Sequence, residues 1–395
     1  MPGRYAVSVA AILLLVAGLA WAQDSATRPY HDPRATPLAY NGPGREDPDP
    51  QDLDEVRIGF FGPPDPRHAG GGSIWQGASL AVEEANVNGG YRGLPFRLVP
   101  AWAENPWAGG AAMLIRITYT QRVWAIIGGI DGATTHLAEQ VLPKALLTLV
   151  NPAATDRSIH TANVPWMFSC VPGDHMLAPL VSHELKARRA QFVLLSATDH
   201  DSRAFVSQLK FAFERDRLAP LVHVEFEPTA ATAEEAAERV MASGAQAAVI
   251  IADAGASTSV IKAVRKSGFA GAILCGPWIA RVAPEPALDG VVYPSPGDIS
   301  PAFGAKFVAR YGRDPDYPAA HAYDAANIVI AAIRKAGLNR ARIRDAVRAL
   351  SPIQGVTGRI EWDSAGQNQR PVVLRTVGSA GASAQLPPAA TGLRK

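Results

Sequence analysis

VRIGFFGPPDPRHAGGGSIWQGASLAVEEANVNGGYRG, residues 56–93, reads as a strand, a Gly/Pro loop, an amphipathic helix and a glycine stop. Val56, Ile58, Phe60 and Phe61 form a short apolar run of the kind found in a buried parallel strand. Ser73-Ile74-Trp75-Gln76 has the spacing of a capping box, which would open the helix. Apolar residues then recur at Ile74, Ala78, Ala81, Val82 and Ala85, one face at a 3.6-residue period, until Gly89-Gly90 ends the pattern. A loop placed between strand and helix in this way is built to meet a ligand.

Upstream, Arg4 precedes a run from Tyr5 to Ala22 whose only polar residue is Ser8, and Ala20-Trp21-Ala22 supplies a small-x-small cleavage pattern before Gln23. Residues 1–22 therefore read as a cleaved secretory signal, with an uncleaved membrane anchor as the alternative. No cysteine follows the cleavage site, so no lipid anchor is indicated, and the mature protein is expected to be soluble and exported. Residues 23–55, rich in Pro, Asp and Gly, hold too few apolar side chains to pack and read as a flexible lead-in.

About 370 residues remain after the signal, a length that suggests two domains. The 395-residue chain has a net charge of +2 and no basic stripe, which argues against nucleic acid as a partner. Cys170 and Cys275 are the only cysteines; an exported chain could join them, or they could be two buried thiols.

From Val56 onward, β-branched runs alternate with helical periods. Strands are expected at 96–100, 123–128, 146–150, 191–197, 221–227, 247–252, 272–275 and 291–293. Helices are expected at 108–120, 134–142, 203–218, 233–242 and 257–266. Thr232 to Glu235 reads as a second capping box, and Ser300-Pro301 as a cap followed by proline at the first helical position. Two helices, 317–336 and 340–350, and two strands, 359–362 and 372–377, close the pattern. The Ala/Gly/Pro/Ser-rich residues 378–395 read as a disordered tail. This order is α/β, with two doubly wound parallel sheets.

Four stretches in order, GASLAVEEANVNGGYRGLPFRLV, AIIGGIDGATT followed by NPAATD, YPAAHAYDAANIVIAAIRKAG, and GVTGRIEWDSAGQ, carry a family resemblance over residues 56–377. As a set they resemble type I periplasmic solute-binding proteins, and within them the branched-chain amino acid and amide-binding group that serves ABC importers. The resemblance implies a Venus-flytrap clamp in which two parallel-sheet lobes are joined by a three-strand hinge and close on ligand between them. It places lobe I at 56–170 and 296–350 and lobe II at 171–293 and 356–377, with crossings near 170–172, 293–295 and 351–355. It further implies a monomer that delivers a small organic solute to an inner-membrane ABC permease, without a cofactor.

The residues sharpen that picture. Gly128 to Thr135 is a glycine-bearing turn into a helix, so free amides and the positive helix end favour an anionic group, with the Thr134 and Thr135 hydroxyls beside them. Thr134 can equally serve as a cap. The resemblance adds Ala153 and Thr155 as carboxylate contacts, and it puts Gly132 where a serine is frequent. It also implies a tyrosine and an acid for the ligand ammonium, and here Asp201 and Trp278 stand at those places. Asp201 or Asp253 could supply the negative charge instead, or simply cap helices. Trp75 and Trp278 are read as stacking surfaces in the cleft, and Trp102 and Trp107 as packing on the lobe surface.

The expected ligand carries a carboxylate and an aromatic or apolar body, with a true branched-chain amino acid as the alternative. A sensor reporting to a membrane partner would need the same clamp. An enzyme is not expected. Asp199-His200-Asp201-Ser202 has no G-x-S-x-G elbow, and adjacent residues in an extended loop cannot form a relay. The nine histidines lack H-x-x-x-H or H-E-x-x-H spacing, so no metal site is expected.

Overall fold

The computed structural model describes residues 37–378, together with the backbone of His31–Asp32 and Ala384–Gln385. The signal at 1–22 and nearly all of the tail at 378–395 lie outside the described residues. Among the described residues, no helix is long and apolar enough to cross a membrane.

After a small ladder of β1 (His31–Asp32) and β2 (Ala39–Tyr40), β3 (Val56–Phe61) becomes the second strand of a five-stranded sheet. Its partners are β4 (Phe96–Ala101), β5 (Ile126–Gly128), β6 (Leu149–Asn151) and β7 (Met167–Ser169), in the order β4-β3-β5-β6-β7, all parallel. The second sheet contains β8 (Phe192–Ala197), β9 (Val222–Phe226), β10 (Ala247–Ile251), β11 (Ala272–Cys275) and β12 (Val292–Ser295). β15 (Val373–Thr376) and β16 (Ala384–Gln385) extend it antiparallel, giving the order β16-β15-β12-β11-β10-β8-β9. Between them β13 (Ile353–Gly355) and β14 (Gly358–Ile360) form a separate hairpin. The central strands of both sheets are buried on both faces, and this is why they read as unbroken apolar runs.

Helices cover both faces of each sheet. The first lobe carries α1 (Gly72–Val87), α2 (Ala111–Ile115), α3 (Gly132–Val141), α8 (Pro301–Tyr311), α9 (Tyr317–Ala336) and α10 (Arg340–Leu350). The second carries α4 (Asp174–Arg188), α5 (His200–Asp216), α6 (Ala230–Ser243) and α7 (Ala254–Lys266). α9 is alanine-rich and buried along most of its length, which lets α1 pack against it closely. Gly77 is required there, since a Cβ would collide with the Ala319 carbonyl. The two-lobed α/β architecture is the one expected from sequence.

Several local expectations change. Ser73 and Gln76 form no capping box: α1 begins at Gly72 behind Gly71, and His68 Nδ1 accepts from the amides of Gly70 and Gly71. The Ser73 hydroxyl instead donates to Asp316 (2.9 Å), and Gln76 accepts from Arg313. The second box sits three residues earlier, at Thr229 and Thr232, because α6 starts at Ala230. Ser300 does cap α8, accepting from Phe303 N–H at 3.2 Å with Pro301 in the first turn. The segment at 108–120 is a helical run from Pro106 to Thr120, with wider π turns on either side of α2.

The described part of the lead-in is anchored rather than flexible. Leu38 and Tyr40 are buried, Tyr40 packs on Trp166, and Asn339 Nδ2 donates to the carbonyls of Gly44 and Asp47. Only a few apolar contacts are needed when the buried Asn339, the cap of α10, holds the backbone.

The third crossing is also later than expected. Val356, Ile360 and Trp362 pack into the first-lobe core, and Trp362 Nε1 donates to Ser169 O (2.9 Å), so residues 356–362 belong with lobe I rather than lobe II. The passage to β15 lies near 367–372, where Gln367 and Asn368 side chains donate to the carbonyls of Val171 and Cys170. Cys170 and Cys275 are separate, buried free thiols in different cores.

Candidate functional site

The amino end of α3 faces the amino end of α5 across the two lobes. Asp131 caps α3: its Oδ1 accepts from Thr134 N–H (2.8 Å) and Thr134 Oγ1 (2.6 Å). Thr134 Oγ1 also accepts from Ile130 N–H, and Thr135 Oγ1 donates to Asp131 O, so both hydroxyls are committed to holding the helix start. The Gly132 amide stays free of such caps and donates to Asp201 Oδ1 at 2.8 Å. Gly132 is needed because a Cβ there would meet Asp201, Asp156 and the His200 ring. A carboxylate of one lobe thus sits on the helix end of the other, the placement a helix N-terminus favours for an anion.

Asp201 belongs to the first turn of α5, not to an extended loop. Asp199 caps this helix, accepting from Ser202 N–H (3.0 Å) and Ser202 Oγ (2.6 Å). Burial, reinforced by the charge of Asp131, drives the Asp201 carboxyl well above the usual range, while the Gly132 bond opposes the shift.

Beside it lies a second interlobe contact that sequence reading did not find. Asp156 Oδ2 lies 2.8 Å from His200 Nε2 and 3.1 Å from His136 Nε2, and its Oδ1 accepts from Ser158 N–H and Oγ, both at 2.8 Å. His136 Nδ1 meets Glu139 Oε2 at 3.0 Å. Hydrogen bonds to Asp156 and then Glu139 push the His136 imidazole up to about 9. Burial alone would raise Asp156, but bonds from both histidines and Ser158 outweigh it and hold that carboxyl below the ordinary range.

Asp174, at the start of α4, completes an acidic lining and was likewise missed. It is buried, its N–H donates to Thr155 O (2.7 Å), and one of its carboxyl oxygens has no hydrogen-bond partner. Burial raises it to about 8 against the opposing bond from the Thr155 hydroxyl, with the Asp156 charge adding to the rise. Thr155 and Ala153 are buried beside this region; the Ala153 amide is taken by Asn151 Oδ1, and the Thr155 hydroxyl faces the Asp174 carboxyl. The phenol of Tyr317 is buried and raised in pKa by burial, and it feels the charges of Asp201 and Asp174.

A strap joins the lobes elsewhere. Arg281 Nε donates to Asp316 Oδ2 (3.0 Å), and its Nη2 donates to the carbonyls of Ala69 and Gly70. Trp278, on the same short turn, packs edge-on to Phe205 with ring centroids 5.6 Å apart and stays partly exposed. Trp75 is partly buried and packs edge-on to Phe60. Trp102 packs near Phe61 and His68, whereas Trp107 is largely exposed. Asp253 caps α7, accepting from Ala256 N–H, and lines a groove of about 530 Å³ between α6 and α7. Its charge acts on Arg281 of the strap.

The structure therefore brings Gly132, Thr155 and Asp201 together with Asp156, Asp174 and Tyr317. Asp156 stood in the quoted NPAATD stretch, and Asp174 follows the Pro-Gly before α4, but neither carried a local signal of its role.

The periplasmic binding protein family description matches residues 55–382. The branched-chain amino acid transporter substrate-binding protein LivJ from Streptococcus pneumoniae, solved with isoleucine, superposes with a TM-score of 0.75 at 20% identity, covering 85% of this chain and 100% of that one. A solute-binding protein from R. palustris, solved with benzoate, has a TM-score of 0.72 at 15% identity over 84% of this chain and 95% of its own. An amino acid binding protein of Pseudomonas aeruginosa is 28% identical over 117 residues; that match spans only 31% of its length. The structural likenesses carry the fold, and the family match over most of the length carries the assignment: this chain belongs to the periplasmic binding protein family.

Proposed function

We propose that the chain is the exported solute receptor of an ABC importer, and that it closes on a small zwitterion with an apolar or aromatic body. The observation that carries this reading is the bond from Gly132 N–H to Asp201 Oδ1 across the lobes. A ligand carboxylate that takes the Gly132 amide and the Thr155 hydroxyl releases Asp201 to meet a cationic group. Asp174, with its unpartnered oxygen, supplies a second acceptor for that cation. Without such a cation these acids must stay protonated in the closed form, since unpaired carboxylates in a dry site are costly. This revises the ligand expected from sequence, because the positive end is now as well provided for as the negative one. Trp278 supplies an apolar surface for the body of the ligand. No chemistry on the ligand is invoked: the differential contacts of the closed form are the whole mechanism, and a membrane permease would read that form.

The test is a melting-temperature screen of the purified protein against aromatic amino acids, branched-chain amino acids, benzoate-class acids and the matching amines. A specific ligand raises the melting point with the logarithm of its concentration over its dissociation constant. Apolar or aromatic amino acids should stabilise the protein, and Asp201→Asn should weaken them by roughly tenfold or more. Stabilisation by the simple acids at full strength, unaffected by Asp201→Asn, would refute the zwitterion reading.

A further inference from the structure

We propose that His136, Asp156 and His200 form a divalent transition-metal site that spans the two lobes and locks them shut. One ligand atom from each of the three, an imidazole nitrogen or a carboxylate oxygen, lies within 4.8 Å of the other two. Nε2 of His136 and Nε2 of His200 point at one carboxylate oxygen, Asp156 Oδ2, at 3.1 Å and 2.8 Å. A tetrahedral zinc ion with bonds of about 2.0–2.1 Å needs ligand atoms about 3.3 Å apart, so the two N···O distances would open by a few tenths of an ångström while the two imidazole nitrogens, within 4.8 Å of each other, draw together by a turn of the exposed His200 ring.

The surroundings are those of a built site. His136 Nδ1 faces Glu139 Oε2 at 3.0 Å, the carboxylate–histidine pairing that orients a metal-bound imidazole and fixes which ring nitrogen is free to ligate. Asp156 Oδ1 is held by Ser158 N–H and Oγ, so Oδ2 is the oxygen presented. Ser158 Oγ, 2.7 Å from His136 Nε2, or a water can fill a fourth position. The His200 side chain is 43% exposed, which leaves a path for an ion to enter. The donor set of two imidazoles and one carboxylate suits zinc or cobalt over calcium or magnesium, which prefer oxygen.

Two donors lie on the first lobe and His200 on the second, so the full set exists only when the lobes are closed. An ion with this differential affinity shifts the population toward closure. The bound imidazoles must be neutral, so protons pass to the buffer as the ion binds. The proposal stands apart from the identity of the organic solute.

The experiment is titration of the chelator-treated, full-length protein with Zn²⁺ alone, without organic solute, followed by calorimetry and solution scattering. One equivalent should bind, raise the melting temperature, release protons and reduce the radius of gyration. Co²⁺ in its place should give the intense visible bands of a tetrahedral site, a readout that needs no variant. His200→Gln should lower Zn²⁺ affinity at least 100-fold, and Glu139→Gln about 10–100-fold, with circular dichroism unchanged. Failure of Zn²⁺ to bind at one equivalent, binding equal in wild type and His200→Gln, or binding no tighter than that of Mg²⁺ would each overturn the proposal. In those cases the three side chains are a hydrogen-bonded latch and nothing more.

Discussion

A single proton decides much at Asp174. Its carboxyl is raised to about 8 by burial, against about 3.9 in an unfolded chain. Between those values the folded protein holds a proton that the unfolded one has lost, so ligand-free stability falls as pH rises from about 4 to 8, by at most about 1.4 kcal/mol per pH unit. Asp174→Asn mimics the protonated acid and removes that loss. The variant should melt at least about 2 °C above wild type at pH 8, and the gap should vanish near pH 4 in a calorimetric pH series. A constant gap across the range would mean that the effect is packing rather than ionisation.

At the scale of elements, the closest contact is α1 on α9. Gly77→Ala pushes a methyl into the Ala319 carbonyl, and backbone cannot give way cheaply. The expected loss is about 1–3 kcal/mol in urea unfolding, despite the better helix propensity of alanine. Gly304, in the middle of α8, has nothing within reach of an added Cβ. Gly304→Ala should therefore stabilise by roughly 0.5–1 kcal/mol in the same assay. Equal effects at the two sites would deny that helix approach, rather than propensity, sets the requirement for Gly77.

For the whole molecule, among the described residues, side chains that bridge the lobes include Asp201 on Gly132, His200 on Asp156, Arg281 on Asp316 and the Ala69 and Gly70 carbonyls, and Arg375 on Asp298. Arg281→Ala removes the strap and leaves Asp316 its bonds to Ser73 and Ala319 N–H. Solution scattering should show a larger mean radius of gyration. Affinity for any cleft ligand should fall about tenfold or more, because the competent closed form is less populated. Unchanged dimensions together with unchanged affinity would rule the strap out.

Periodicity and punctuation alone determined most of the strand and helix order, the termini of α9 and α10, the Ser300 cap and the two-sheet architecture, but they gave no sign of β7 or of α4. Those signals are local, since burial on one face or both leaves its period in the residues themselves. Only the tertiary structure decided which carboxylates meet. Gly132 and Asp201 are separated by 69 residues, as are the donors at 136, 156 and 200 by 20 to 64, so no motif spacing links them. It also moved residues 356–362 to the first lobe and turned the Ser73 hydroxyl from a cap into a contact with Asp316. In each case a side chain, polar or apolar, had several chemically equal partners within reach of its own segment or beyond it. Packing two lobes together chose among them.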